Sequence, residues 1–552
     1  LQASKRRVIR LLKRVDCGQH DAVRRDYDVL IVGAGFAGMY MLHRVRGLGF
    51  TVRLFETGSG VGGTWYWNRY PGARCDVESM EYSYQFSEAL QQEWRWSERY
   101  AAQPEIMRYA NHVADRFDLR RDIQFDTRVV AAEFREAENR WNVRTQDGAQ
   151  VSARFLVMAT GCLSSTNLPK FEGLDSFAGE IYHTGRWPHH AVDFTGKRVG
   201  VIGTGSSAVQ SIPIIAREAK SLVVFQRTAA YSIPARNGQL DPKYEARIKA
   251  DYAGFRARNS KMPNAFGSNY PRNETPAFSV DEMERANAFE KRWQHGGLFF
   301  LGAFGDLIFS TEANKTAAGF VRAKIRETVR DPTVAKLLEP SQVIGCKRLC
   351  LDTGYYETFN RPNVTLVDIR HAPIERITPS GLRTGGREYE FDAIVLATGF
   401  DAMTGALFAI DIRGRNGIEL REKWRDGPRT YLGIGTAGFP NLFTISGPGS
   451  PSVLTNMLVS IEQHVNWISD CIAFLHAHGH ARIEAREAAE EAWVAHVNSV
   501  ADRTVYPHCN SWYLGSNVPG KPRVFMPLLG FPQYVEKCNE VAARGYEGFA
   551  LA

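Results

Sequence analysis

Several things are scarce or missing in this 552-residue sequence, and each absence excludes a class of protein. It has eight cysteines, at 17, 75, 162, 346, 350, 471, 509 and 538, and no two form a Cys-x-x-Cys pair. That removes zinc-ribbon and paired-cysteine redox readings, so no metal site is expected. Cysteines this scattered predict free thiols in a reducing, cytoplasmic setting. The longest apolar run, near Val29 to Leu42, is broken by Gly33, Gly35 and Gly38. It is too short and too rich in glycine to span a bilayer, so no stable membrane insertion is expected. There is no low-complexity tract. The formal charge of +8 is modest for this length and does not point to nucleic acid.

What is present is ordinary globular material, 44% hydrophobic and 23% charged. A chain of this length predicts about three or four compact units. Part of the positive charge sits in an N-terminal arm over residues 1–26. There Lys5, Arg6, Arg7, Arg10, Lys13 and Arg14 alternate with Val8, Ile9, Leu11 and Leu12. That pattern suits a surface-seeking amphipathic helix, an import signal or a solvated tail.

Residues Tyr27 to Val32 read as a buried parallel strand, being short, continuous and apolar. Gly33-Ala-Gly-Phe36-Ala37-Gly38 follows, then a helical pattern through Met41, Leu42 and Val45, then a strand from Thr51 to Glu56. This is a βαβ dinucleotide fingerprint. Gly33 makes the turn, Gly35 lets backbone approach a pyrophosphate, and Gly38 lets helix and strand pack. Glu56 ends the second strand, where a carboxylate accepts ribose hydroxyls. The loop from Gly62 through Gly63, Thr64, Trp65, Tyr66 and Trp67 to Asp76 suits contact with a flat flavin ring. Paired strands are expected around Gln124 to Phe134 and Trp141 to Thr145. A buried strand ending at Gly161 then sends the chain across to a second domain.

Lys197 to Ile202 opens a second βαβ unit, with the turn Gly203-Thr204-Gly205-Ser206-Ser207-Ala208 and a second strand from Leu222 to Gln226. Here the acid is missing, and Arg227 and Thr228 stand where Glu56 stands in the first unit. A cation there pairs with a 2′-phosphate, which predicts NADPH. Between the units lies the connector Phe177 to Pro188, carrying His183 and Trp187. Residues 240–336 read as a charged helical insertion in the second unit. Ile394 to Asp401 read as the return to the first domain. The expected domains are therefore 27–162, FAD-binding, first part; 163–393, NADP-binding; and 394–552, FAD-binding, second part, with a C-terminal loop that closes over the site. The fold class is α/β, with two Rossmann-like dinucleotide-binding domains and a helical insertion in the NADP domain.

One acid-ended and one arginine-ended site in a single chain describe a flavoprotein reduced by NADPH. On its motifs the chain resembles the type I Baeyer–Villiger monooxygenases. The connector matches their fingerprint at Phe177, Gly179, His183, Trp187 and Pro188. The earlier loop matches a second pattern at Gly62, Gly63, Trp65, Tyr70, Pro71, Gly72 and Asp76. Gly447 to Val453 and Ser511 to Gly515 look most like the phenylacetone and steroid monooxygenase branch. His189 departs from the pattern, since many members carry Asp after Trp-Pro.

The resemblance implies a cycle in which NADPH reduces FAD, O2 forms a flavin C4a-peroxide, and this attacks a ketone to give an ester or lactone. It implies Arg348 as the active-site arginine and Asp76 as the carboxylate that positions it. It implies that Lys347, Arg227 and Thr228 surround the 2′-phosphate and that Trp512 holds the nicotinamide nucleotide over the site. It also assigns Tyr82, Val129 and Met457 to FAD, and Arg74, Cys75, Gln210 and the turn residues Thr204 to Ala208 to NADP. A small-molecule ketone and O2 are the expected partners, and the expected state is a monomer or weak homo-oligomer. The competing reading is a flavin monooxygenase oxidising nitrogen or sulfur, which would not need an arginine to hold an anion.

Overall fold

The computed structural model describes residues 25–552, so most of the basic arm lies outside the described residues. The first strand starts at Arg25, two residues before its expected beginning. In chain order the first six strands are β1 (Arg25–Val32), β2 (Val52–Phe55), β3 (Ile123–Gln124), β4 (Val129–Arg135), β5 (Arg140–Thr145) and β6 (Gln150–Met158). They form one sheet in the order β4-β5-β6-β1-β2-β3. The β3-β2-β1-β6 portion is parallel, and β4 and β5 are antiparallel additions. The single strand expected over Gln124 to Phe134 is broken in two. Asp126 takes a left-handed backbone (φ 52°), which a continuing ladder does not accommodate. The first half therefore pairs with β2 and the second with β5.

The second sheet is wholly parallel. It uses β7 (Glu180–His183), β8 (Arg198–Ile202) and β9 (Ser221–Gln226). A short parallel pair, β10 (Ser232–Pro234) and β11 (Cys350–Asp352), stands apart. The sheet is completed by β12 (Val364–Asp368) and, after the antiparallel meander β13 (Ile374–Thr378), β14 (Gly381–Thr384) and β15 (Arg387–Glu390), by β16 (Ala393–Leu396). Its order is β12-β9-β8-β16-β7. The connector gains a definite place, since its middle forms the edge strand β7. One sequence expectation changes here. The chain does not leave for the first domain at residue 394. Ala393 to Leu396 pair on both sides, with β8 and β7, and are fully buried, and Ala397 still packs in the second unit's core, so the return begins beyond Ala397. Burying Ile394, Val395 and Leu396 stabilises the fold by roughly 1.5–3 kcal/mol each, which is why this run stays in the sheet centre. Beyond the crossing, β17 (Asp411–Arg413) joins β4 and β18 (Leu442–Thr444) joins the end of β6.

The insertion is helical as expected, with helices over Pro242–Ala250, Tyr252–Ser260, Glu282–His295, Thr311–Thr328 and Pro332–Leu338. It does not belong to the second unit alone. Phe289, Trp293, Phe300, Val321 and Ile325 join the second sheet's core. Ile248, Tyr252 and Phe255 join the core of the first domain instead. The insertion therefore bridges the two nucleotide-binding units.

The expectation of free thiols fails for one pair. Cys346 and Cys509, 163 residues apart, are joined by a disulfide with their Cα atoms 5.5 Å apart. Cys75, Cys162, Cys350, Cys471 and Cys538 are free and buried. No described helix is long and apolar enough to cross a membrane.

Candidate active site

The two glycine turns are built alike. Gly33 (φ 105°) and Gly203 (φ 115°) both take left-handed backbone. A Cβ on Gly33 would stand 2.7 Å from the Ala159 carbonyl oxygen, and one on Gly203 would stand 2.4 Å from that of Ala397. In each unit the turn is thus pressed against the strand that crosses to the other domain. The helices that follow, Phe36–Gly47 and Ser206–Glu218, have no side-chain cap and no acidic residue in the first turn. Their leading N–H groups and positive dipole ends are left for an anion, which fits a pyrophosphate at each.

In the first unit Glu56 is buried, and its two oxygens accept the Ala34 N–H (2.6 Å) and the Gly58 N–H (2.7 Å). Burial pushes its pKa up, while those hydrogen bonds oppose the shift. The loop expected against a flavin closes on the turn, since a Cβ on Gly63 would stand 2.8 Å from Gly35 Cα. Residues Thr64–Trp67 form one helical turn. Trp65 Nε1 donates to the Tyr82 hydroxyl (3.0 Å), and Phe36 meets Tyr82 edge-on. Ala37 is buried in the helix, Val129 is buried at the start of β4, and Met457 opens the helix Met457–Ala477. The uncapped turn, Glu56 and the Trp65–Tyr82 pair fit a flavin nucleotide; Val129 and Met457 are placed only by their elements, at the starts of β4 and of the helix Met457–Ala477.

In the second unit Thr204 Oγ1 donates to the Thr228 carbonyl (2.8 Å), tying the turn to the end of β9. Arg227 and Thr228 are exposed there. Lys347 has its pKa lowered by burial and then by the positive charge of Arg227. Two cations that repel each other across an open site fit a phosphate dianion between them. The loop of the first domain docks on the helix that opens this unit. Gln210 Nε2 donates to the Arg74 carbonyl (3.1 Å), and Tyr70 donates to Gln210 Oε1 (2.8 Å). The Arg74 guanidinium itself is held by Glu98 and the Tyr100 carbonyl, so it anchors the loop. Cys75 is buried, which together with neighbouring Asp76 drives its thiol pKa far up and leaves it unreactive.

Arg348 lies where the units meet. Its Nε donates to Asp76 Oδ2 (2.5 Å) and its Nη2 to Asp76 Oδ1 (3.0 Å), while Nη1 donates to the Val453 carbonyl (2.9 Å). The guanidinium also stands 5.9 Å from the centre of the Phe266 ring. The side chains of Arg348 and Asp76 are 22% and 25% exposed. Burial alone would lower the arginine's pKa, but the charge and hydrogen bonds of Asp76 more than reverse this. The result is a permanent, two-pronged cation fixed in place before any ligand binds. Val453 and Phe266 had no assigned role in the sequence. Val453 directly follows the Gly-Pro-Gly-Ser-Pro-Ser motif, which was its available signal. Phe266 had none.

The fingerprint residues do two jobs. Phe177 packs with Ile202, Phe391 and Leu396 on the second sheet, and a Cβ on Gly179 would stand 2.5 Å from the Asp392 carbonyl oxygen. Trp187 is buried against Tyr182 and Phe194, and its backbone N–H donates to the Trp67 carbonyl of the flavin-side loop (3.3 Å). Pro188 and His189 follow, and His189 rests its ring on Tyr66, 4.5 Å between centres. His183 Nδ1 accepts the Gly185 N–H (3.0 Å), so the proton sits on Nε2, facing Thr398 Oγ1 at 3.2 Å. Thr398 in turn donates to the Asn167 carbonyl (2.7 Å). Burial lowers the pKa of His183 to about 4, so it is neutral and bridges the two interdomain crossings. Trp512 begins a short 3-10 turn, Trp512–Leu514, packed beside Tyr513 at 4.3 Å between ring centres.

Two facing βαβ units with free helix N-termini and a fixed arginine between them define a flavin-dependent, pyridine-nucleotide-using oxidoreductase. Residues 30–265 match the pyridine nucleotide-disulphide oxidoreductase family. A Baeyer–Villiger monooxygenase of Pseudooceanicola batsensis is 43% identical over 95% of this chain and 96% of its own. A phenazine N-monooxygenase of Lysobacter antibioticus is 41% identical over 96% and 98%. The solved structure of an oxidised steroid monooxygenase bound to NADP superimposes with a TM-score of 0.91 at 55% identity, covering 95% of this chain and 99% of that one. The chain belongs to the Baeyer–Villiger monooxygenase family, and its cofactors are FAD and NADPH.

Proposed function

We propose that this chain uses NADPH and O2 to insert one oxygen atom beside the carbonyl of an aryl, cyclic or steroidal ketone, giving an ester or lactone. FAD, when bound and reduced by NADPH, supplies the activation of O2. The first glycine turn, Glu56 and the Trp65–Tyr82 end would hold FAD. The second turn with Arg227, Thr228 and Lys347 would hold NADPH through its 2′-phosphate. Arg348 would bind the ketone oxygen and stabilise the negative charge that grows on it as the carbonyl is attacked. Because guanidinium stays protonated, it does so with no proton transfer of its own. Asp76 would keep the guanidinium aimed and temper its charge. Trp512 and Tyr513, on the C-terminal segment, would exclude water.

The observation that carries this reading is the bidentate Arg348–Asp76 pair, formed between residues 272 apart where the two nucleotide units meet. The test is product mass spectrometry with NADPH, ¹⁸O₂ and a panel of aryl, cyclic and steroidal ketones. Ester carrying one labelled oxygen is expected. Consumption of NADPH with no labelled product from any ketone refutes the reading. Transfer of oxygen to nitrogen or sulfur is the second reading, favoured by the name of the phenazine N-monooxygenase relative. Adding amines and sulfides to the panel separates the two. A cytoplasmic location and a monomer or weak homo-oligomer complete the proposal, and sedimentation of the purified protein tests the latter.

A further inference from the structure

We propose that the Cys346–Cys509 disulfide is a redox-operated latch that holds the C-terminal segment carrying Trp512 and Tyr513 down on the segment carrying Lys347 and Arg348. Cys346 directly precedes Lys347, and Cys509 lies three residues before Trp512. The bond therefore couples the two short segments that bring these side chains together. With the Cα atoms of the two cysteines 5.5 Å apart and a residue spanning at most about 3.6 Å, the Trp512 Cα stays within about 16 Å of the Cys346 Cα while the bond is intact.

Tyr513 and Leu514 are buried in the first domain's core, but residues 516–524 are only half-buried or exposed, so the covalent tie adds to a short packing contact. From Cys509 to Arg523 the segment's regular structure is one three-residue 3-10 turn, and it joins no sheet. Its other anchors include Asn517 Nδ2 to the Phe400 carbonyl (2.7 Å), Asn167 Nδ2 to the Asn517 carbonyl (3.2 Å) and Lys521 Nζ to Asp401 Oδ1 (2.5 Å). Water can replace each of these, but it cannot replace a disulfide. Reduction of Cys346 and Cys509 removes the covalent tie and leaves only packing and hydrogen bonds, so the segment opens more often.

Among the described cysteines, Cys346 and Cys509 are the pair whose oxidation joins two distant segments. The other five described cysteines are buried thiols, each with its pKa raised by that burial, and so are poor thiolates. Cys346 and Cys509 are themselves 2% and 1% exposed. Reduction therefore proceeds through rare local openings that bare the sulfurs while the bond is still intact, and whatever stabilises the closed arrangement should slow it. Closing the latch takes one hydrogen from each thiol. With a peroxide as oxidant, two Cys–SH and one H2O2 give the disulfide and two H2O. Opening it is exchange with an external dithiol, which leaves as its own cyclic disulfide while both cysteine sulfurs regain a proton.

The experiment compares the FAD-loaded protein after hydrogen peroxide, after dithiothreitol, and as Cys509→Ser. Peptide mass spectrometry should find residues 346 and 509 cross-linked after peroxide and two further free thiols after dithiothreitol. Amide hydrogen exchange over residues 509–524 should be faster in the reduced protein. If the closed population falls to about a tenth, NADP+ should bind about tenfold more weakly. NADP+ should in turn slow the reduction by dithiothreitol. Cys509→Ser should exchange fast throughout and ignore both reagents. Chemical reduction of the parent, reversed by peroxide, makes the same comparison if that variant folds poorly. The proposal is overturned if no cross-linked peptide forms, if exchange over 509–524 is the same in both redox states, or if Cys509→Ser responds to dithiothreitol as the parent does. The cross-link and exchange readouts do not depend on the proposed function. Only the NADP+ readout rests on it, so a latch that moves the segment without changing NADP+ binding would indict that reading of Trp512 and Lys347 instead.

Discussion

Replacing Arg348 by alanine should leave a folded, FAD-retaining protein that makes essentially no ester. Coulomb's law sets the size of the loss. A ketone oxygen gaining negative charge at about 4 Å from the guanidinium, at an effective dielectric of ~20, is stabilised by on the order of 4 kcal/mol, nearly a thousandfold in rate. Asp76 holds the other edge of the same guanidinium and cancels part of that field, so a loss of roughly a hundredfold to a thousandfold is expected. The variant also strands a carboxylate. Removing one partner of a buried ion pair costs about 3–5 kcal/mol. With both side chains still about a quarter exposed, the lower end of that range applies. The two effects can be separated. Arg348→Ala with Asp76→Asn removes the stranded charge, so thermal stability should recover while the rate does not. Arg348→Lys keeps a charge but loses the fork that spans both carboxylate oxygens, so it should recover little. The assay is ester quantitation beside flavin absorbance and a thermal melt on each variant. Ester at the parent rate from a folded Arg348→Ala protein, or a rate restored in the double variant, refutes the reasoning.

Arg227→Ala should weaken NADPH about ten- to a hundredfold and leave NADH nearly unchanged, because a charge-assisted phosphate contact contributes roughly 1.5–3 kcal/mol; equal losses in steady-state kinetics with both coenzymes count against it. Burial lowers His183 to about 4 and His464 to about 3, so the unfolded chain takes up protons first as pH falls. Stability is then full above about pH 6.5 and is lost as pH falls toward those values; melts from pH 7.5 to 4.5 should show the decline, with a shallower slope in His464→Gln. Burial raises Glu462 to about 7, which has the opposite sign, with stability lost as pH rises through that value. Glu462→Gln should therefore melt higher than the parent at pH 9 and about equal to it at pH 5, and no difference at pH 9 contradicts the shift. Deletion of residues 1–20 should leave flavin content and turnover intact, as measured by absorbance and ester formation.

The βαβ units were legible because their signals are local. A tight turn needs Gly33 or Gly203 for its left-handed backbone, the helix starts directly after it, and the strand-end residue, Glu56 or Arg227, follows at a fixed distance along the chain. The helical insertion was legible for the same reason, being written in charge and periodicity. What failed was whatever depended on where an element packs. The run Ala393 to Leu396 reads identically as a crossing or as a central strand, and only pairing with β7 and β8 decides it. The insertion's first two helices look like its others, yet Ile248, Tyr252 and Phe255 turn to the first domain's core. Asp126 broke an apparently continuous strand through one backbone angle, a conformation that Asp tolerates better than most residues but that composition does not announce.

The site itself divides along the same line. Arg348 and Asp76 were nameable from the resemblance, but residue type alone could not have paired them across 272 positions. That pairing is a product of topology. The loop ending at Asp76 follows β2 and packs back on the first glycine turn, Arg348 precedes β11, and the docking of Tyr70 and Gln210 between the units brings the two together. The Val453 carbonyl and the Phe266 ring complete the arginine's surroundings, from a backbone atom and an insertion loop. Neither kind of group is marked by residue identity, since any residue offers a carbonyl and many loops carry a phenylalanine. The cysteines show the limit most sharply. Spacing along the chain argued that all eight were free, yet two of them meet because each lies on a segment drawn to the same arginine-bearing junction. A disulfide depends on separation in space, and that separation is set by the docking of segments 163 residues apart, which spacing along the chain does not encode.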